Sequence, residues 1–165
     1  MSNVLVIFQA DTEATEQLAL GVGVGAVEAE GSIRLRRLAA TGAAEVGHKG
    51  YGKLQATDLI WANTIVVGLE SARPRAEELE GLLSLLSGSD PGELGGKQGW
   101  TFSAEGLAGD RTEAQIFIES ALQVAGVVVL PVAVLHFAVG QEMLEQMKEA
   151  GRMSARLNQT KQGTI

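Results

Sequence analysis

Short apolar runs alternate with stretches of helical periodicity along almost the whole chain, and this alternation restricts the possible folds more than any other feature. Val4-Leu5-Val6-Ile7-Phe8 is uncharged and rich in β-branched residues. That is the composition of a parallel strand buried on both faces. A chain that alternates such strands with helices builds an α/β sheet covered on both sides. The loop after the first strand reads Gln9-Ala10-Asp11-Thr12-Glu13-Ala14-Thr15. A phosphate-cradling loop offers small residues and free backbone N–H groups, whereas this one offers a carboxylate. The sequence therefore constrains fold more tightly than function.

The spacing predicts the elements in turn. A strand over Val4–Phe8 is followed by a helix over Thr12–Glu28, with Leu18, Val22 and Ala26 along one face and Thr12 or Asp11 as its cap. Gly21, Gly23 and Gly25 weaken that helix but permit close packing against the sheet. Ser32–Leu38 reads as a second strand with Ile33 and Leu35 on one side, and Thr41–Tyr51 as a connection of undefined shape. Thr64-Ile65-Val66-Val67 is a central strand, Ala76–Leu86 a helix ended by Ser87–Gly92, and Gly99–Ser103 another strand. Glu113–Ala125 fits a helix with Ala114, Phe117, Ala121 and Ala125 inward, stopped by Gly126. Val127–Leu130 is the last strand, limited by Pro131. Glu142–Leu157 closes the fold as a helix with Met143, Leu144, Met147 and Ala150 inward, the methionines serving as core filling.

The chain's 165 residues suit one well-filled domain. No cysteine is present, so disulfide and thiolate chemistry are excluded. The N-terminus has no basic region followed by an apolar run, and no segment is long and apolar enough to span a bilayer. A cytoplasmic protein is expected. The net charge of −7 argues against a nucleic-acid partner. Arg34-Leu35-Arg36-Arg37 is the one basic cluster, and its alternation predicts a solvated strand edge rather than an anion site.

The order strand, loop, helix, followed by Asp58-Leu59-Ile60-Trp61-Ala62-Asn63-Thr64-Ile65-Val66-Val67-Gly68, resembles the flavodoxin-like superfamily. Within it, the chain is most similar to the NAD(P)H:quinone oxidoreductases and their multimeric FMN-binding branch. Gly126-Val127-Val128-Val129-Leu130-Pro131 resembles the family's fifth-strand region, and the likeness spans residues 3–157. The resemblance implies a three-layer α/β fold with an open five-stranded parallel sheet. It implies one flavodoxin-like domain over 1–158, with 159–165 a polar tail.

The resemblance also implies FMN bound where three loops meet at the strand ends. The family's first loop resembles Ser/Thr-x-Thr-Gly-x-Thr; here it is Ala10, Asp11, Thr12, Glu13, Ala14 and Thr15. Thr12 and Thr15 match and would contact phosphate, Ala10 lacks the first hydroxyl, and Glu13 takes the glycine position. Glu13 itself is then a candidate for the anion at the helix N-terminus. The second loop, Gly68, Leu69, Glu70 and Ser71 onward, keeps the glycine but has neither the Thr-Pro pair nor an aromatic residue for the ring. The third loop, Ser103, Ala104, Glu105 and Gly106 onward, lacks the histidine of the multimeric branch.

Two functions follow. One is an FMN-dependent oxidoreductase that takes hydride from NAD(P)H and passes electrons to a quinone-like acceptor. The cofactor would carry the chemistry, with no catalytic side chain required. The other is a flavodoxin-like scaffold that has lost FMN and serves as an interaction or other small-ligand-binding protein. Whether the chain is an enzyme stays open. A homodimer or homotetramer suits either reading. Gly21-Val22-Gly23-Val24-Gly25 lies inside a helix, so it is no dinucleotide fingerprint. No hydrolase elbow is present. His48 and His136, the only histidines, have no close carboxylate pattern and predict no metal site.

Overall fold

Apolar side chains on both faces of a strand require a layer on each side, and the chain supplies both. In a computed structural model, the structure describes residues 2–9, 13–38, 54–69, 76–90, 92–103, 112–130 and 147–156, without the side chains of 13, 14 and 76–78. The elements are β1 (Asn3–Gln9), α1 (Glu13–Glu28), β2 (Ser32–Leu38), α2 (Ala56–Trp61), β3 (Thr64–Leu69), α3 (Ala76–Ser87), β4 (Gln98–Ser103), α4 (Glu113–Val124) and β5 (Val128–Val129). Residues 147–156 are helical and are called α5.

The five strands form one parallel sheet in the order β2-β1-β3-β4-β5. This is the doubly wound order of flavodoxin-like folds. Side chains alternate across the sheet as the pleat requires. Leu5 and Ile7 of β1 join Ile65, Val67, Leu82, Ile118 and Leu122 in the core beneath α3 and α4. Val4, Val6 and Phe8 join Leu18, Val22, Val66, Trp100, Phe102 and Met147 in the core beneath α1 and α5. The helices thus form the outer layers of a three-layer α/β fold.

Three sequence expectations are corrected by the packing. Gly25 does not make room for the sheet. A Cβ there would lie 1.7 Å from the Lys148 carbonyl oxygen of α5, and one at Gly151 would lie 2.0 Å from the Val22 oxygen of α1. The two glycines let α1 and α5 touch backbone to backbone. Gly23 does face the sheet, against Ile33.

The basic cluster is not a solvated edge. Asp58, with its side chain 4% exposed, accepts from Arg34 Nη1 at 3.1 Å, Arg36 Nε at 3.0 Å and Arg36 Nη2 at 3.2 Å. The Arg34 guanidinium also lies 4.2 Å over the Trp61 ring, a favourable cation–π placement. Asp58 in addition accepts the Gln55 N–H at 2.9 Å, capping α2. The ion pairs therefore hold the edge strand β2 to α2.

The inward face of α4 is also shifted. Ala114, Gln115, Ile118, Glu119 and Leu122 are buried, while Phe117 is 54% exposed. Two polar residues take inward positions because Thr101 of β4 offers them hydrogen bonds. The helix ends at Gly126, whose φ of 101° suits glycine alone. β5 is shorter than the sequence suggests, at two residues. Met147 and Ala150 of α5 are buried as expected. Met143, Leu144, the 41–51 connection and the 159–165 tail lie outside the described residues.

Candidate functional site

In an open parallel sheet, ligands bind beyond the carboxyl ends of the strands, where the strand order reverses. Here the chain leaves β1 for β2 on one side and returns to β3 on the other. The crevice therefore lies between the ends of β1 and β3. The register aligns those ends. Phe8 pairs with Gly68, Gly68 with Phe102, and Leu69 with Ser103. Gln9, Leu69 and Ser103 all finish their strands buried at this end.

Helix α1 begins here, so its first N–H groups face the crevice. Thr15, in its first turn, continues the buried stripe of Leu18, Ala19, Val22 and Ala26. Its residue exposure is 0% and its Oγ1 has no hydrogen-bond partner. A buried hydroxyl left without a partner costs about 1–3 kcal/mol. Valine would fill the same space without that cost. The hydroxyl is thus left open to a partner that the described residues do not supply. Among the described residues one other buried polar side-chain atom shares this state, Gln98 Oε1, at the opposite end of β4.

Of the residues expected at the site, Thr15, Gly68, Leu69 and Ser103 are brought to one end of the sheet. Gly68 has a packing role as well: a Cβ there would lie 2.2 Å from Phe102 Cζ. Its bare Cα seats the Phe102 ring, which in turn lies 6.0 Å from Trp100. Ala10, Asp11, Thr12, Glu70, Ser71, Ala104, Glu105 and Gly106 lie outside the described residues, as do the side chains of Glu13 and Ala14. The idea that Glu13 fills the anion position lies outside them too.

A polar cluster missed in the sequence joins α4 to β4 two residues before Ser103. Thr101 Oγ1 donates to Glu119 Oε2 at 2.8 Å and accepts from Gln115 Nε2 at 3.2 Å. Thr112 and Gln115 form a reciprocal capping box at the start of α4. The Thr112-x-x-Gln115 spacing was a readable signal for the cap. Nothing local signals that Glu119 turns inward.

Asp58 and Lys97 are held at either end of α2. Burial alone would push the Asp58 carboxyl up, but the Arg36 and Arg34 guanidiniums and the Gln55 N–H bring it below the usual value. Burial lowers the Lys97 ammonium, which donates to the Ile60 and Ala62 carbonyls at the end of α2. Among the described residues no cluster of His, Asp or Glu could hold a metal ion. None of their helices is long and apolar enough to cross a membrane.

A groove of about 850 Å³ separates the second halves of α3 and α4 and is lined by Leu83, Leu86, Phe117, Ala121 and Val124. These helices run against the strands, so the groove sits at the far end of the sheet from Thr15. Ser87 and Ser89 turn their hydroxyls to carbonyls of α3. Glu80, Ser84 and Ser120 also line the groove, whose surface is mainly apolar.

No family model matches the chain, and no curated protein matches it. Solved structures do. A flavodoxin from the domain Archaea is 18% identical, with a TM-score of 0.68, covering 95% of this chain and 99% of its own. A flavodoxin, WrbA-like protein from Agrobacterium tumefaciens is 22% identical, with a TM-score of 0.63 and coverage of 98% and 99%. Oxidised flavodoxin 2 from Bacillus cereus is 16% identical, with a TM-score of 0.63 and coverage of 94% and 99%. The likenesses show a flavodoxin-like fold along nearly the whole chain.

Proposed function

We propose that this chain is a redox protein that binds FMN at the crevice between β1 and β3. The finer reading is transfer of electrons from NAD(P)H to a quinone-like acceptor. The observation that carries the proposal is the buried, unpartnered hydroxyl of Thr15 at the switch in strand order. A phosphate oxygen beside it would accept its hydrogen bond. The N-terminus of α1 adds N–H groups that have no partner within the helix and a favourable dipole for an anion. The residues present therefore fit the phosphate end of the cofactor.

The chain's own work is binding and orientation. Thr15 Oγ1 donates to phosphate. The backbone at Gly68, Leu69 and Ser103 borders the ring. FMN, when bound, supplies reversible one- and two-electron chemistry. No proton donor, base or nucleophile is required from these residues.

The test is flavin binding by wild type and Thr15→Val. Wild-type protein is expected to retain flavin absorbance after desalting from excess FMN. A hydrogen bond to a charged group contributes about 1.5–3 kcal/mol, so Thr15→Val should raise the FMN Kd by about 10- to 100-fold. The same variant should make the flavin-free protein more stable by about 1 kcal/mol, because the orphaned hydroxyl is gone. Loss of stability with unchanged FMN affinity would show that Thr15 serves the fold alone. No retained flavin in wild type would remove the redox reading.

A further inference from the structure

A buried side-chain cluster bonds to Thr112 at the start of α4 and to Thr101, two residues before Ser103 at the end of β4. Gln115 is its centre. Gln115 Oε1 accepts the Thr112 N–H at 3.0 Å, and the Gln115 N–H donates to Thr112 Oγ1 at 3.2 Å. Gln115 Nε2 then crosses to β4. It lies 3.2 Å from Thr101 Oγ1 and 3.4 Å from the Thr101 carbonyl oxygen. The Thr101 hydroxyl donates onward to Glu119 Oε2 at 2.8 Å. Thr101, Gln115 and Glu119 are 1%, 3% and 4% exposed.

Packing alone gives no reason for these three residues. An apolar trio of similar volume would avoid desolvating an amide and a carboxylate, and such replacements are often neutral or stabilising. What the polar trio supplies is direction. Hydrogen bonds fix angles that apolar contacts leave loose. Two of the bonds run along α4 and the others across to β4, so the helix start is held at one height on the strand. Ser103, which borders the candidate site, is two residues beyond Thr101.

We propose that Gln115 and Glu119 are positioning residues for the flavin ring. They act through Thr101 to fix the strand end at Ser103 and the helix start at Thr112. The proposal rests on the FMN reading of the site, and its test separates the two. Gln115→Leu removes the bonds of its side-chain amide to Thr112 and Thr101, and Glu119→Leu removes the acceptor of the Thr101 hydroxyl. Glu119→Gln is the conservative control, since its amide oxygen still accepts from Thr101.

Amide hydrogen exchange of the flavin-free protein is the first readout. Gln115→Leu should speed exchange at the Thr112 amide by about 10-fold, the factor for one ordinary hydrogen bond, and leave β1 and β3 unchanged. Flavin affinity is the second. Each leucine variant should weaken FMN and riboflavin binding by the same factor, about 10-fold, because the cluster borders the ring and not the phosphate. Thr15→Val should instead weaken FMN alone. Glu119→Gln should bind within about 3-fold of wild type, having kept its acceptor.

Unchanged exchange at the Thr112 amide overturns the clamp whether or not flavin binds. Faster exchange with unchanged flavin affinity overturns the positioning role. Should the leucine variants weaken FMN but not riboflavin, the assignment to the ring is wrong. Should wild type bind neither flavin, the parent reading fails and the positioning role falls with it.

Discussion

Replacing Gly151 by alanine is expected to lower the unfolding free energy by about 3 kcal/mol, the upper part of the range for overpacking a filled interior. The added methyl would lie 2.0 Å from the Val22 carbonyl oxygen and 2.9 Å from the Ala26 nitrogen. Both are main-chain atoms of α1, so no rotamer change makes room and the two helices must separate. Separation loosens Met147, Ala150 and Ala155 from the core. It also strains the Trp100 Nε1–Ser154 Oγ hydrogen bond at 2.8 Å. Alanine is a better helix former than glycine by about 1 kcal/mol, which offsets only part of this. Gly25→Ala should behave alike, since its methyl would lie 1.7 Å from the Lys148 oxygen. The double variant should cost less than the two single effects added, because one separation relieves both clashes. Urea unfolding measures all three. A neutral or stabilising Gly151→Ala would mean that α1 and α5 do not touch as described.

Asp58→Ala should cost a similar amount, about 3 kcal/mol. Breaking a buried ion pair typically costs 3–5 kcal/mol because the remaining charge is left without its partner. Here the arginines keep some water, being 36% and 25% exposed, which holds the effect at the low end. The lost cap on the Gln55 N–H adds to it. Arg34→Ala should cost under about 1 kcal/mol, since Arg36 still grips the carboxylate with two bonds.

The pH dependence has a definite sign. The folded carboxyl titrates below its ordinary value, so the unfolded chain binds its proton first as pH falls. The stabilisation is whole above the unfolded value, near pH 4, and drains away as pH drops through the folded value. Wild type should therefore lose stability faster than Asp58→Ala as pH falls below about 4. Parallel curves would remove the ion pair from the account.

Most strand and helix limits were legible because they are local, although the short helix α2 was not read and β5 is shorter than expected. Val4–Phe8 carries its own strand signal, and the strand found there extends it by one residue at each end. Ser32–Leu38 matched outright. What was not legible depends on partners distant in sequence. The inward turn of Glu119 needs Thr101 on β4, and periodicity alone placed Phe117 there instead. The arginines of β2 needed Asp58 to become structural. The glycine repeat in α1 showed that something comes close, but not that α5 does. At the site, Thr15 was found by its match to a family loop. That its hydroxyl is buried without a partner follows only from the packing around it.

The most direct measurement is a crystal structure of the protein grown with saturating FMN. The account predicts phosphate density within about 3 Å of Thr15 Oγ1 and the flavin ring beside Leu69 and Ser103. Crystals with no flavin at that crevice, or with Thr15 still unpartnered beside flavin bound elsewhere, would contradict it.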